Sequence, residues 1–418
     1  MRSIDIYEAL QAANHDIGYT TVCNYVRSRK YVKREKFIKQ VYEPGSLVEF
    51  DWGWVKLFIN GKLFRLKMAV FTSAYSNHRY ARLFIREDMC SFLESHTHYL
   101  NYIGGVPLCF LYDNMKVAVA KFSIRQSDKK PTNDLLKISS YYQFDFRFAN
   151  AGKGNEKGHV ERSVEYVRRK AFSLTDHFDS LEQANDYLLK KVEVLNGKVS
   201  EGESQTIQAN FEQERILLKQ LPVSTYQTAV LTTCKLDKYN TICIDTNHYS
   251  VPETIESNLV VVKKYSDQLH IYDNKSNEIA IHQRRYTKHQ WFINLDHYLF
   301  TLKTKPGALA CSYALKQAPD VLKKLFENHY KDCSKIFIEI ALFCKENKIS
   351  ILDWQEATQQ YSKQTNNTIT AEAITFMIQQ ITQVDKNKDR KVEDKSQLSE
   401  DISQSANQQL KQIQNIFK

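Results

Sequence analysis

Residues 107–112, PLCFLY, constrain the fold of this chain more than any other stretch. They are continuously apolar, the mark of a strand buried on both faces. The run stops at Asp113, so a carboxylate ends the most buried strand. Upstream, Pro44-Gly45 opens a unit, and residues 48–59 are rich in β-branched and aromatic side chains. Asn60-Gly61 is a hairpin turn signal. Phe64, Leu66, Met68 and Val70 then alternate with Arg65 and Lys67, as in a half-buried strand, and a third strand is expected around 80–85. Asp88 can cap a helix carrying Phe92, Leu93, His96, Leu100 and Ile103, which Gly104-Gly105 ends. A helix over 133–142 and a strand over 144–148 follow the buried run. Three strands in a meander, then alternating helices and strands, predict an α/β fold: a mixed sheet with flanking helices on both faces.

The next stretch, 153–170, reads KGNEKGHVERSVEYVRRK. As a helix from about Asn155 it puts Val160, Val164 and Val167 on one apolar face, with Glu161 and Glu165 one step round. Lys153, Lys157, Arg162, Arg168, Arg169 and Lys170 crowd the same stretch. An acid at the rim of a buried face, inside a basic field, suits a metal-binding carboxylate next to a polyanion. A solvated amphipathic helix with i,i+4 charge pairs has the same pattern.

Two aspartates shift that balance. Asp51 sits within the first strand, inside GSLVEFDWGW, where a β pattern expects an apolar or neutral residue. Asp113 ends the buried strand. In the expected sheet the first strand and the strand after the first helix are neighbours, so their aspartates could converge with Glu161 beside them. Three carboxylates on rigid elements can hold two divalent cations about 3.5–4 Å apart, the arrangement for in-line phosphoryl displacement. Hard oxygen ligands select Mg²⁺ or Mn²⁺. Each acid also has a plain role open to it: an edge-strand charge at Asp51, a turn cap at Asp113, an ion pair with Arg162 or Arg169 at Glu161.

Around this core the chain changes character. Residues 3–30 predict two short helices, the first with a stripe of Ile6, Ala9, Leu10 and Ala13, the second anchored by Val22 and Val26. Thr20, Thr21, Asn24 and Arg27 would then face outward, as on the second helix of a helix-turn-helix. Basic residues continue through Lys30, Lys33, Arg34, Lys36 and Lys39. Residues 228–286 are strand-dense and suggest a small β-barrel, with Lys263, Lys264, Arg284, Arg285 and Lys288 making one side basic. Residues 291–380 read as mostly helical, broken at Pro306-Gly307 and Pro319. From Asp385 the composition predicts disorder, ending in a short stripe of Leu410, Ile413 and Phe417. The formal charge of +10 favours a polyanionic partner. Eight scattered cysteines without a CxxC pair argue against a zinc ribbon or disulfide framework and are expected to be mostly small buried hydrophobes. The apolar runs are far short of a membrane span, so a soluble cytoplasmic protein is expected.

The segments FDWGW, LYDNMKVAV and KGNEKGHVERSVEYVRR resemble the catalytic motifs of the IstA family, bacterial insertion-sequence transposases with a retroviral-integrase-like, RNase H-like core. FDSLEQANDYLL, NHYSVP, HQRRY and LKTKPGAL extend the likeness from about residue 4 to 380. The resemblance implies a five-stranded RNase H-like sheet and an acidic triad at Asp51, Asp113 and Glu161; KGHVE is similar to the end of the wider integrase pattern and favours Glu161 over Glu156. It implies a DDE transposase using two Mg²⁺ or Mn²⁺ ions. Water cleaves at the transposon end, and the freed 3′-hydroxyl attacks target DNA. Lys153, Lys157, Arg162, Arg168 and Arg169 would hold phosphates, while Trp52 and Trp54 read first as core residues and second as DNA wedges. The implied partners are double-stranded DNA (transposon ends and target), a separate IstB-type AAA+ ATPase, and further copies of this chain on DNA. GKGNEKG lacks the GK[ST] ending of a P-loop, so nucleotide binding by this chain is not expected. A catalytically inactive or shortened DNA-binding remnant, regulating transposition, is the second reading.

The expected organisation is a helix-turn-helix and basic linker over 1–40 and the RNase H-like core over 41–176. A helical extension and linker over 177–224, a small β-barrel over 225–290, a helical region over 291–384 and a disordered tail over 385–418 follow.

Overall fold

The computed structural model describes residues 3–29, 41–113, 115–121, 129–149, 160–200, 202–364 and 369–382. The basic linker, Lys153, Lys157 and the C-terminal tail lie outside the described residues, as do the side chains of Glu161 and Arg162.

Helices α1 (Ser3–Ala12) and α2 (Tyr19–Arg29) pack as a hairpin. Asn14 turns the chain between them at φ 58°. Val22 is buried in the contact, and the Tyr7 and Tyr19 rings meet edge to face at 5.4 Å.

The central sheet follows. Strands β1 (Leu47–Ile59), β2 (Lys62–Ser73) and β3 (Arg79–Phe84) form an antiparallel meander. Asn60 and Gly61, at φ 46° and 70°, make the left-handed two-residue turn that the hairpin's twist requires. Helix α3 (Met89–Ile103) is capped by Asp88, whose side chain accepts from the Ser91 N–H, and ends at Gly104 with φ 72°. Strand β4 (Cys109–Tyr112) is buried throughout, as its composition predicts. A small hairpin of β5 (Val119–Lys121) and β6 (Lys130–Pro131) precedes α4 (Asn133–Tyr142) and β7 (Asp145–Phe148). The five long strands run in the order β3-β2-β1-β4-β7, with β4 and β7 parallel to β1. This is the expected mixed sheet.

Helices cover both faces. Under one lie α3 and α4, with Phe92, Leu100, Leu135 and Ile138 packed on Phe50, Phe71 and Phe110. Over the other lie α5 (Val160–Phe172) and, beyond β8 (His177–Phe178), α6 (Leu181–Asn196), with Val167, Ala171, Leu188 and Val192 packed on Val55, Leu57, Met68 and Val70. The two-residue β8 joins the far end of β1. Helix α6 also seals the sheet edge, as two side-chain amides pair with β3 where another strand would. Asn185 accepts from the Leu83 N–H and donates to its carbonyl, and Asn196 does the same for Arg79. Helix α7 (Ile207–Arg215) buries Glu214, which accepts from the Ser73 and Ser76 hydroxyls and the Gly45 N–H.

The expected barrel takes the form of two sheets. Strands β9 (Val230–Lys235), β12 (Leu259–Lys264), β13 (Gln268–Tyr272) and β14 (Glu278–Gln283) make one; β10 (Thr241–Ile244), β11 (Asn247–Ser250) and β15 (Trp291–Phe292) make the other. They share a core of Ile242, Tyr249, Val260, Val262, Leu269 and Ile271. Among the described residues no ladder joins the two sheets into a closed barrel. This unit docks on α3 through Arg284, whose buried guanidinium pairs with Asp88 at 2.8 Å and Asp245 at 2.7 Å. Short helices α8 (Leu299–Thr304), α9 (Tyr313–Gln317) and α10 (Asp320–Leu325), the longer α11 (Ser334–Asn347) and α12 (Ile351–Gln364), and a last helix over 371–382 gather around Trp354, Phe337 and Tyr330. Breaks fall at Pro306 and Pro319, as expected. All eight cysteines are free, but only Cys90, Cys109, Cys234 and Cys344 are buried, fewer than expected. Among the described residues no helix is long and apolar enough to cross a membrane.

Candidate active site

The register of β1 against β4 brings two of the three acids together. Leu47 pairs with Cys109, and the ladder runs in parallel to Phe50 opposite Tyr112. One residue further, Asp51 stands opposite Asp113. Neighbouring strands lie about 4.8 Å apart, and residues opposite one another in a parallel pair project to the same face. Both aspartates are half-buried. The Trp52 N–H, on the side of β1 that faces β4, donates to Asp51 Oδ1 at 2.9 Å.

The face follows from alternation. Phe50 and Tyr112 point into the aromatic core under α3, their rings 5.9 Å apart. Asp51 and Asp113 therefore face the other way, toward α5. Gly53, on the same face as Asp51, lies so close to α5 that a Cβ there would meet Val164 Cγ1 at 2.6 Å. Arg168 Nη1 donates to the Trp54 carbonyl at 3.4 Å, so α5 runs alongside β1 in the same direction. Three helical residues rise about 4.5 Å and a strand about 3.3 Å per residue. Counting back from Val164 beside Gly53, helix position 161 is level with strand positions 51–52. Its side chain lies outside the described residues, and among those no three His, Cys, Asp or Glu side chains gather.

Behind the acids the site is rigid and apolar. Tyr112, next to Asp113, is fully buried and donates its hydroxyl to His96 Nε2 at 2.8 Å. The Phe92 carbonyl can only accept, so His96 Nδ1 carries the proton and donates to it at 2.7 Å. Burial pushes the His96 pKa down to about 4, so the ring is neutral, and it drives the Tyr112 phenol well up.

The remaining expected residues divide clearly. Thr20, Thr21, Asn24 and Arg27 are exposed on α2, opposite buried Val22. Arg168 and Arg169 are exposed on α5. Trp52 packs in the core, edge to face with Phe50 at 5.4 Å. Trp54 does not: it is 41% exposed, with the Arg65 guanidinium 4.0 Å and Lys67 Nζ 3.8 Å from its ring centre. It shares the Trp52 face, but the aromatic core under α3 does not extend to it. The sequence reading also missed Lys56 and Arg65. A two-residue turn at Asn60-Gly61 fixes the hairpin register and pairs Lys56 with Arg65, so the signal was present. These two join Arg168 and Arg169 around a groove beside Trp54.

Known proteins similar to this chain agree in kind. The family of the Mu transposase C-terminal domain matches residues 221–294, and that of the Mu-like transposase middle domain matches residues 1–34. A transposase for insertion sequences IS1326/IS1353 from Pseudomonas aeruginosa is 28% identical over 77% of this chain and 65% of its own length. The transposase for insertion sequence element IS21 from the same species is 25% identical over 65% of this chain and 70% of its own. Among solved structures, the HTLV-2 integrase catalytic core domain in complex with magnesium is similar at 12% identity and a TM-score of 0.31, over 41% of this chain and 99% of that one. The chain thus spans about two thirds of the first of these relatives, 65% of its length. The relatives of this chain are thus insertion-sequence transposases, the IS21 transposase among them, and its two stretches of likeness to the Mu transposase families lie at residues 1–34 and 221–294.

Proposed function

We propose that the chain is a DNA transposase that cleaves transposon ends and joins the 3′-hydroxyl to target DNA, with Asp51, Asp113 and Glu161 as its catalytic acids. The observation that carries this reading is the parallel register, which sets Asp51 opposite Asp113 on the face that α5 covers. Two half-buried carboxylates on adjacent rigid strands fit hard divalent cations, Mg²⁺ or Mn²⁺. Asp51 and Asp113 would hold them from the sheet and Glu161 from the helix. When bound, two such ions supply Lewis acidity and charge neutralisation for in-line displacement at phosphorus. The chain's own part is positioning: buried Phe50 and Tyr112 leave neither strand room to shift. Lys153, Lys157, Arg162, Arg168 and Arg169 would hold phosphates near the acids, and Thr20, Thr21, Asn24 and Arg27 would meet DNA from α2. DNA ends and target, further copies of the chain and an IstB-type ATPase are the proposed partners.

Strand transfer on DNA carrying the element's own ends, with Mg²⁺, tests the triad. Asp51→Asn, Asp113→Asn and Glu161→Gln should each lower it by about 1000-fold or more, several kcal/mol of lost transition-state stabilisation. DNA binding should persist, and Glu156→Gln should be far milder. Wild-type-like transfer in any one variant removes that residue from the site. An inactive wild-type chain that still binds DNA points to the regulatory remnant instead.

A further inference from the structure

Beyond the acids, β1 has an open edge. Strand β4 pairs with residues 47–50 and β8 with 58–59, and among the described residues no strand lies against the stretch between. The Phe58 and Asn60 N–H groups donate to the carbonyls of Asp176 and Phe178 on the β8 side. By the period of two, the N–H groups of Trp54 and Lys56 point to the same side, into the open stretch. A groove runs there, walled by α5. Its lining includes Lys56, Arg65, Arg168 and Arg169 and no acidic residue. Among the described residues, Lys56, Arg65 and Arg168 make no ion pair. Lys67, by contrast, is paired with Glu87. Unpaired cations converging with outward backbone N–H groups form an anion site.

We propose that this open edge seats the DNA strand as it leaves the acids, its phosphodiester backbone lying along β1 from Asp51 to Lys56. Five strand residues span about 17 Å, room for several phosphates. Lys56 and Arg65 grip the strand from the hairpin, and Arg168 and Arg169 grip it from α5. Trp54 is a positioning residue: its ring holds the Arg65 guanidinium at the groove's rim. The inference rests on the transposase reading and adds to it a phosphate-binding wall on the β1–β2 hairpin.

The test uses the full chain and a fluorescein-labelled duplex of arbitrary sequence, titrated between about 50 and about 200 mM salt. Lys56→Gln/Arg65→Gln should flatten the slope of log K against log salt by nearly two, about 0.9 per lost phosphate contact. The charge-keeping pair Lys56→Arg/Arg65→Lys should restore it. Trp54→Leu keeps both charges and should weaken binding about 3-fold at an unchanged slope. Both cations are exposed, so the melting temperature should hold; if the double variant melts early, each single variant should still flatten the slope by about 0.9. An unchanged slope in the hairpin variants, with flattening in Arg168→Ala and Arg169→Ala, overturns the wall and leaves the transposase reading standing. A wild-type chain that shows no salt-dependent binding removes both.

Discussion

The two faces of the central sheet are built on the same strands and solve different problems. Under α3 the face is aromatic: Phe50, Phe71, Phe92, Tyr99, Phe110 and Tyr112 stack and tilt against one another, with the Phe71 and Tyr99 rings parallel at 4.3 Å. Over it, under α5 and α6, the face is aliphatic, made of Val55, Leu57, Leu66, Met68 and Val70. Large rings fill the gap beneath a helix without bringing it close. Small side chains, and Gly53 with none, let α5 come down onto the strand. One face therefore holds the strands still, and the other brings a helix to the carboxylates. That division makes the two faces separable by mutation.

The largest effect should come from the aromatic face. Phe110→Ala removes a fully buried ring from the centre of that core and should cost about 3–5 kcal/mol. Urea unfolding followed by Tyr and Trp fluorescence would measure it. A loss below about 1 kcal/mol would mean that the core collapses to fill the space, and that the face is less rigid than its packing implies.

Acid should act on the same face. Burial lowers the His96 pKa from 6.5 to about 4. Between those values the unfolded chain binds a proton that the folded chain refuses. Stability is thus full above about pH 6.5 and falls as the pH drops toward about 4, by about 3 kcal/mol from this group. His78 and His297, each pushed down to about 3 by burial, have the same sign. The diagnostic quantity is therefore the difference between wild type and His96→Gln in melting temperature against pH. If both chains lose stability equally from pH 6.5 to 4, His96 is not the titrating group.

Much of this architecture is legible in the chain because local rules and burial agree. The PLCFLY run, the Asn60-Gly61 turn, the Asp88 cap and the Gly104 stop each carry one mechanism, and each lies where that mechanism puts it. The neighbouring of Asp51 and Asp113 is legible too, since the order of strands implies it. What escapes is any contact between residues far apart in sequence. Glu214 is buried by Ser73, Ser76 and Gly45, none of which signals it. Asn185 and Asn196 look like ordinary polar positions of an amphipathic helix, yet they close a sheet edge. Trp54 fails for another reason: alternation gives its face correctly but not how far the aromatic core extends beneath it. Position 161 is legible only as a place on α5, and its level beside β1 depends on a contact at Gly53 that a glycine in a strand does not by itself announce.

That contact gives the smallest effect on stability and the sharpest separation of the faces. A Cβ on Gly53 would stand 2.6 Å from Val164 Cγ1, and a β-branched side chain on a helix has little rotamer freedom with which to yield. Gly53→Ala should therefore lift α5 off the strand rather than deform the sheet. Because the aliphatic layer is thin and the aromatic core is untouched, the cost should be about 1–2 kcal/mol, the lower part of the range for overpacking. Strand transfer should fall much further than that loss explains, since any lift of α5 carries position 161 away from Asp51. Val164→Ala removes the clashing methyl and, combined with Gly53→Ala, should recover most of the transfer while adding its own small cavity cost. The double-mutant cycle then shows a coupling in activity larger than the coupling in stability. Equal couplings would mean that α5 serves the fold alone, and a fully active Gly53→Ala would mean that the distance between helix and strand does not set the geometry of the acids.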